Sequence, residues 1–559
     1  MQVDEIAKQI YTRQSEMEDA RQTFGDDWLE IAKYLMPHLE FMDDDQMVGE
    51  RVGTNIYDST PLGFMQMMAD GMQGHTASSA IKWYRFVPSR PELDTRAVRE
   101  WLQAMDEHFY YLFQSRSNFY QKIPAFFLNL VGLSMSTVFI DEKVDTGEIK
   151  FIIPNPWEIF VEKNQYDERD TVHRKFPMKA RNMVQYFNEE DLTAAVKDAA
   201  KNTPDKTFDI IHCVFPNTDK DYYKTGAQDR EYCSVYIQDQ SGPDKKLLRR
   251  KESGQAISGY NIMPYIVGVW RDIPDTSYSY GPAHNALPDI LMLNDAAKQY
   301  WIATQKLVTP PMWLPKKYKS AFSLAPGAKN YYEDEAILDV KPIQQTIDLQ
   351  AVLEGIQDKR EQISNHFMAD FFLMLTQSEK PMTATEIMEK QGEKAAALGP
   401  VLSSLHNIFN QMFDRMISIE YEAGRLPPPP PELVEAGGVF DIDYIGPLSQ
   451  AQKRLFETQG TRHFLEHVSP LFQLFPDAVD VLNTDELVKK FADSFGADLD
   501  IIRDDEEIQA IREARAKQMQ MLQQMEQLQA VGKATKDLGS PKDESSVLSE
   551  IEQQAGESV

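Results

Sequence analysis

The sequence predicts an α+β fold that is mainly helical, and two observations carry that reading. Apolar residues recur at helical spacing up to about residue 120 and again beyond Pro282. From Thr137 to about Arg271, short β-branched and aromatic runs alternate with turn signals instead. At 559 residues the chain has room for two to four domains and sizeable cores.

Taken in order, Ile10 and Met17, then Trp28, Ile31, Ala32 and Leu35, predict helix, and Trp101, Met105, His108, Phe109 and Leu112 predict another. The longest uncharged run, Ile123 to Ile140, is interrupted by Pro124, Asn129, Gly132 and Ser134. Its length and polarity predict a buried helix passing into a buried strand rather than a membrane span. Asp145-Thr146-Gly147-Glu148 between two β-type runs is a hairpin signal, and Phe208–Phe215 and Tyr232–Gln238 predict further strands.

Helix resumes after Gly281-Pro282, with Ile290, Leu293, Ala297, Tyr300, Thr304 and Val308 on one face. Pro288 suits only a first turn, so this helix is expected to begin near it, and Pro310-Pro311 stop it. Met312 to Thr346 is a small insert with Lys316, Lys317 and Lys319 near its start. A second helix carries Leu349, Val352, Ile356, Ile363, Phe367, Phe371 and Met374 in register, with Asp348 as N-cap. The polar loop Thr376 to Met382, holding Gln377, Ser378, Glu379 and Lys380, leads to a capping box at Thr383-Ala384-Thr385-Glu386. A very long helix is expected from there to about Glu422, kinked at Pro400, which has no amide to bond residue 396. Gly424 and prolines 427 to 431 end it and open a stiff linker. Residues 440 to about 500 read as a compact helical unit and Glu506 to about Val531 as a Gln/Met-rich helix. The small, polar residues beyond Gly532 have the composition of a disordered tail.

Lys and Arg number 58 against 87 Asp and Glu, a formal charge of −29. Such an excess argues against a protein that coats nucleic acid by counterion release, though not against one that guides DNA through water. Two cysteines, Cys213 and Cys233, allow neither a disulfide framework nor a four-cysteine zinc site and suit a reducing compartment. The acidic start Met1 to Glu5 is not a secretory leader.

Motifs for chemistry are scarce. The nearest approach to a phosphate loop, Pro326-Gly327-Ala328-Lys329, lacks the first glycine and the final Ser/Thr. Gly132-Leu133-Ser134-Met135-Ser136 nearly matches a nucleophile elbow but has Ser136 in place of the second glycine. It reads as small residues packing a helix–strand junction. The carboxylate runs Asp43 to Asp45, Asp441/Asp443, Asp498/Asp500 and Asp504 to Glu507 read as solvated faces or helix caps. A metal-dependent nuclease would need them to converge. His212-Cys213 reads as a half-buried strand pair, His75 as helix-end packing, and Lys245, Lys246, Arg249, Arg250 and Lys251 as a solvated hairpin tip. Lys316, Lys317 and Lys319 fit a solvated surface and a DNA- or partner-facing one equally. No catalytic, cofactor or metal residue is assigned.

The order of elements and several short segments resemble the portal proteins, or head-to-tail connectors, of tailed double-stranded DNA phages, especially the short-tailed group. These segments are Tyr280-Gly281-Pro282-Ala283 through Leu287-Pro288-Asp289-Ile290, Thr309-Pro310-Pro311, Met382 to Glu386, Glu422-Ala423-Gly424 and Tyr444 to Gln452. Ile153 to Trp157 and Arg174 to Pro177 add to them. The resemblance spans roughly residues 5 to 520. It implies a ring, typically of twelve subunits, at one capsid vertex of the virion, assembled in the host cytoplasm. On this pattern the wing takes 1–282 and 376–440, and the stem helices take 283–309 and 347–375. The clip takes 310–346 and the crown 441–531, before a tail at 532–559. Residues 376–382, with Gln377, Ser378, Glu379 and Lys380, match the tunnel loop. The clip lysines would face DNA, terminase or an adaptor. The implied partners are other copies of the chain, double-stranded DNA, terminase, tail or adaptor proteins, and major capsid and scaffolding proteins, with no membrane and no cofactor. The alternatives are a metal-dependent nuclease and an internal capsid scaffold protein.

Overall fold

The computed structural model describes residues 3–37, 39, 53–143, 145–220, 226, 229–239, 247–251, 254–315, 323, 325–332, 341–342, 349–376, 398–453, 464, 467–468, 482–494 and 505–537. The chain divides into two compact units, Met1–Phe464 and Leu465–Val559.

In the first unit α1 (Val3–Leu35) turns Trp28, Ile31, Ala32 and Leu35 inward at helical spacing. α2 (Thr60–Thr76) follows, then a strand, β1 (Tyr84–Pro88), inside the region expected to be helical. α3 (Arg96–Ser115) starts at Thr95, whose side chain accepts from the Val98 amide. The uncharged run becomes α4 (Phe119–Leu133) and then β2 (Met135–Lys143), both largely buried, as its length and polarity predict. The Gly147 turn (φ +64°) joins β2 to β3 (Glu148–Ile152) in the expected hairpin. β4 (Ile159–Glu162) and β5 (Thr171–Lys179) precede two short helices, α5 (Ala180–Tyr186) and α6 (Ala194–Asn202). β6 (Thr207–Pro216), β7 (Tyr232–Gln238), β8 (Ile257–Tyr260) and β9 (Tyr265–Val269) complete the β-rich region. Strands β4 to β8 form one antiparallel sheet in sequence order, and β3-β2-β9 form a second.

Next come α7 (Pro282–Val308), β10 (Met312–Pro315), β11 (Lys329–Tyr332), β12 (Lys341–Pro342), α8 (Leu349–His366) and α9 (Ala369–Thr376). The three short strands make a small sheet, β11-β10-β12. α10 (Gly399–Glu422) lays its buried face over β9 and β2, and α11 (Pro431–Glu435) follows the proline run. β13 (Phe440–Tyr444) pairs antiparallel with β1, and α12 (Pro447–Lys453) comes after it. The second unit contains α13 (Thr484–Ser494) and α14 (Asp505–Asp537), tied by Arg512 to Asp485 at 2.7 Å.

Several expectations need correction. α7 begins at Pro282, and Pro288 lies inside it. One lost backbone bond is outweighed where Ala283, Ala286 and Ile290 are buried on both sides of the proline. The second long helix, expected from 347 to 375, breaks at Met368, whose φ is +49°, so α8 and α9 are separate. Residues 440–444 open with a strand, not a helix. His212 and Cys213 are fully buried rather than half-buried. The His212 ring bonds the Tyr265 hydroxyl at 2.7 Å and Ser234 Oγ at 2.9 Å. Arg249 and Arg250 are not a free solvated tip either. Arg249 reaches Asp191 through Nε at 2.8 Å and Nη2 at 2.9 Å, and the Arg250 guanidinium lies over Tyr186. Lys245 and Lys246 lie outside the described residues.

The main core joins α1 to α4, β2, β9, α7, α8 and α10. At its centre Trp83 packs among Phe113, Phe119, Phe409 and Tyr444, so strand β13 belongs to this core.

Candidate functional site

Helices α7 and α8 pack side by side through Ile290, Leu293 and Ala297 on one and Ile356 and Ile363 on the other. Charge fixes their register along one flank. Lys359 Nζ donates to Asp289 Oδ1 at 2.8 Å, and His366 Nε2 stands 3.4 Å from Asp289 Oδ2. The Lys359 hydrogen bond leads the effects that hold the Asp289 carboxyl below the usual carboxylate range.

The other flank is clasped by residues 53–58. Asn294 on α7 accepts from the Tyr57 amide at 2.8 Å and donates to the Asn55 carbonyl at 2.9 Å. Asp58, only 3% exposed at its side chain, accepts from Arg360 Nε on α8 at 3.0 Å. Burial pushes the Asp58 carboxyl up, but hydrogen bonds from Thr60 and the Arg360 charge outweigh it and leave it below the ordinary value.

The foot of α7 is anchored at the α4–β2 junction. Ser134 has φ +61°, and its Oγ lies 2.9 Å from His284 Nδ1. Gly281 is required beside it, because a Cβ there would come within 2.4 Å of Ser134 Oγ. Burial lowers the His284 imidazole to about 4, so it is neutral at pH 7. A serine–histidine pair in the near-elbow segment is therefore present, but Ser134 is wholly buried and works as a latch between helix and sheet.

The outward face of α8 is acidic. Glu354, Asp358 and Glu361 are exposed at spacings of four and three residues, opposite the face that meets α7. Among the described residues no group of three or more His, Cys, Asp or Glu side chains is arranged to hold a metal ion. Asp443 pairs with Arg85 at 2.9 Å, Asp505 to Glu507 open α14, and Asp43 to Asp45, Asp498 and Asp500 lie outside the described residues. No described helix is long and apolar enough to cross a membrane.

Lys316, Lys317 and Lys319, and Gln377, Ser378, Glu379 and Lys380, also lie outside the described residues; the first group follows β10 and the second follows α9. Pro400 is the second residue of α10, a position where its missing amide costs nothing. Sequence reasoning missed the 53–58 clasp and the Ser134 latch. Gly281-Pro282 marks where the latch sits, but no local pattern marks the clasp.

The family described as bacteriophage head to tail connecting protein matches residues 7–502. The chain belongs to that family. This connector is 28% identical over 511 residues to the probable portal protein of Bordetella phage BPP-1, covering 88% of each chain. It is also 28% identical over 495 residues to the portal protein of Salmonella phage epsilon15, covering 86% of each. The matched residues include α7, the small sheet, α8 and the β-rich region.

Proposed function

We propose that this connector is a portal subunit. Copies close into a ring, typically of twelve, at one capsid vertex, and the channel they enclose carries double-stranded DNA during packaging and ejection. The family match over residues 7–502 carries the reading. The packed pair α7–α8, joined through a small sheet, supplies its mechanical element. In this reading the stem is 283–309 with 347–375, the clip 310–346, and the wing 1–282 with 376–440. Because β13 pairs with β1, we draw the crown boundary after Tyr444 rather than at 441. The clip docks terminase during packaging and tail or adaptor proteins later, while major capsid and scaffolding proteins surround the ring. Assembly takes place in the host cytoplasm.

Passage of DNA needs weak contact. An outward row of Glu354, Asp358 and Glu361 on α8 repels phosphate, and the chain's net charge of −29 has the same sign. Lys316, Lys317 and Lys319 of the clip segment and Lys380 of the tunnel-loop segment would add shallow attraction. The work of packaging comes from another protein, the terminase.

Native mass spectrometry and negative-stain microscopy of the purified chain test this. Twelve copies of a 64.1 kDa chain give a closed ring of about 0.77 MDa. A monodisperse monomer under capsid-assembly conditions overturns the proposal.

A further inference from the structure

A closed ring of identical chains needs two different faces on each subunit, one meeting the other on its neighbour. The two flanks of the α7–α8 pair differ in that way. On the clasped flank lies a groove of about 420 Å³ whose lining includes Tyr57, Ala297, Trp301, Leu353 and Arg360. Its apolar groups are unusually open for their type, with Trp301 55% and Tyr57 42% exposed. The opposite flank of α7 bears Met292, 58% exposed. Nine residues separate Met292 from Trp301, which at 3.6 residues per turn puts them about 180° apart around the helix.

We infer that the Tyr57–Trp301–Leu353 groove is the receptor for the Met292 flank of a second copy of this chain, making this pair of faces the stem contact of the ring. Three features select that occupant. A flexible thioether side chain suits a shallow groove walled by aromatic rings, to which sulfur is attracted. Charge suits an uncharged side chain there, because Asp58 and Glu354 in the lining are balanced by Arg360, which is bonded to Asp58, and by Lys298, held over the Tyr57 ring. The two faces also belong to one helix, so every copy presents both. Along that helix they lie about 13.5 Å apart. A cyclic ring has no rise between copies, so this offset is taken up by tilt of the helix pair against the ring axis.

The inference rests on the ring reading of the previous subsection, and its test separates the two. Full-length chain carrying Met292→Cys and Gln357→Cys together is treated with a short bismaleimide at neutral pH. Gln357 lines the groove, so Trp301 is left in place. Native Cys213 is buried, and the half-buried Cys233 thiol is pushed up to about 11, so neither competes. The expected result is a ladder of covalent multimers from the double variant and none from either single variant. Dimers from a single variant mean a face-to-face contact and overturn the proposal. So does the absence of a ladder from material that native mass spectrometry shows to be ringed, and in that case the ring reading survives. Monomer alone in the unmodified chain overturns both. As a second readout, Trp301→Ala, a solvent-exposed change that leaves the fold intact, raises the concentration needed for assembly about tenfold or more. An unchanged assembly concentration also counts against the groove.

Discussion

Replacing Asp58 with alanine tests whether charge holds the 53–58 segment against the helix pair. The carboxylate is 3% exposed; Oδ1 accepts from the Thr60 amide at 2.9 Å and Oδ2 from Arg360 Nε at 3.0 Å. The Thr60 bond, made to a charged and buried acceptor at the start of α2, is worth about 1.5–3 kcal/mol. The Arg360 bond is worth only about 0.5–1 kcal/mol, since that side chain is 40% exposed and can turn to water. Asp58→Ala therefore weakens the local structure by about 2–4 kcal/mol, and Asp58→Asn, which keeps an oxygen for Thr60, by about 1 kcal/mol. Hydrogen exchange of a peptide spanning 53–62 reads this directly. The alanine variant exchanges about 30- to 700-fold faster and the asparagine variant about fivefold faster, at 1.4 kcal/mol per factor of ten. The acid limb supplies a sign check. A carboxyl held below its unfolded value contributes fully above about pH 4 and loses its contribution as pH falls through the lower folded value. Unmodified protein should thus show an acid acceleration that Asp58→Ala lacks. Equal exchange in all three proteins, or equal effects of the two substitutions, refutes the argument.

Three further outcomes follow from close contacts. Gly71→Ala would place a Cβ 2.2 Å from Phe372 Cδ1, so calorimetry should show a loss of about 1–3 kcal/mol, whereas Gly74→Ala in the same helix, with open space, is neutral or slightly stabilising. Glu420 is fully buried, accepts from Arg425 at 2.7 and 3.0 Å and lies 2.9 Å from His108 Nε2; Glu420→Gln should cost about 3 kcal/mol in denaturant unfolding. Burial raises that carboxyl, but its hydrogen bonds lower it further. Its stabilisation is complete above the unfolded value and drains below it, and Glu420→Gln should flatten this acid limb. Gly281→Ala should destabilise the foot of α7 by about 1–3 kcal/mol, seen as faster exchange of the first turns of that helix, because the added carbon meets Ser134 and Trp270.

Much of the fold is legible where local rules suffice. The Ile123–Ile140 run and the Gly147 hairpin follow from length and turn chemistry. The failures in the helices share one physical cause, which is tertiary contact overriding a local rule. Pro288 stays inside α7 because buried neighbours on each side hold the helix. Met368 takes a left-handed φ because α8 packs on α7 while α9 packs on α2, with Phe372 against Gly71. β13 is different, since Phe440, Ile442 and Tyr444 alternate with aspartates and local period-2 patterning alone specifies a strand there. At the site, Asp58 and Arg360 lie 302 residues apart in sequence, and no spacing rule joins them. Met292 and Trp301 are chemically core residues, but the helical period sets both off the face of Ile290, Leu293 and Ala297, and both are more than half exposed.

The acidic row on α8 invites a sharper test of how a channel wall handles DNA. Glu354 and Asp358 accept only exposed bonds from Gln350 and Gln362 one turn away, so the charge of the row can be removed with little effect on the fold. At about 10 Å in water, one carboxylate repels one phosphate by about 0.4 kcal/mol, and physiological salt cuts this to about 0.1 kcal/mol. A single charge is thus negligible. In the proposed ring, three per chain would sum to a potential of several kT over the duplex that enters it. The triple variant Glu354→Gln, Asp358→Asn, Glu361→Gln should leave the unfolding transition within about 0.5 kcal/mol of the parent, as surface changes do. The same variant should retain duplex DNA on the purified assembly at low salt and release it as ionic strength rises, because weak residual attraction to lysines is then unopposed. If retention is unchanged across the salt series, the row faces away from the DNA path and the orientation assigned to α8 is wrong. If retention rises but does not respond to salt, the effect is not electrostatic and the repulsion argument fails on its own terms.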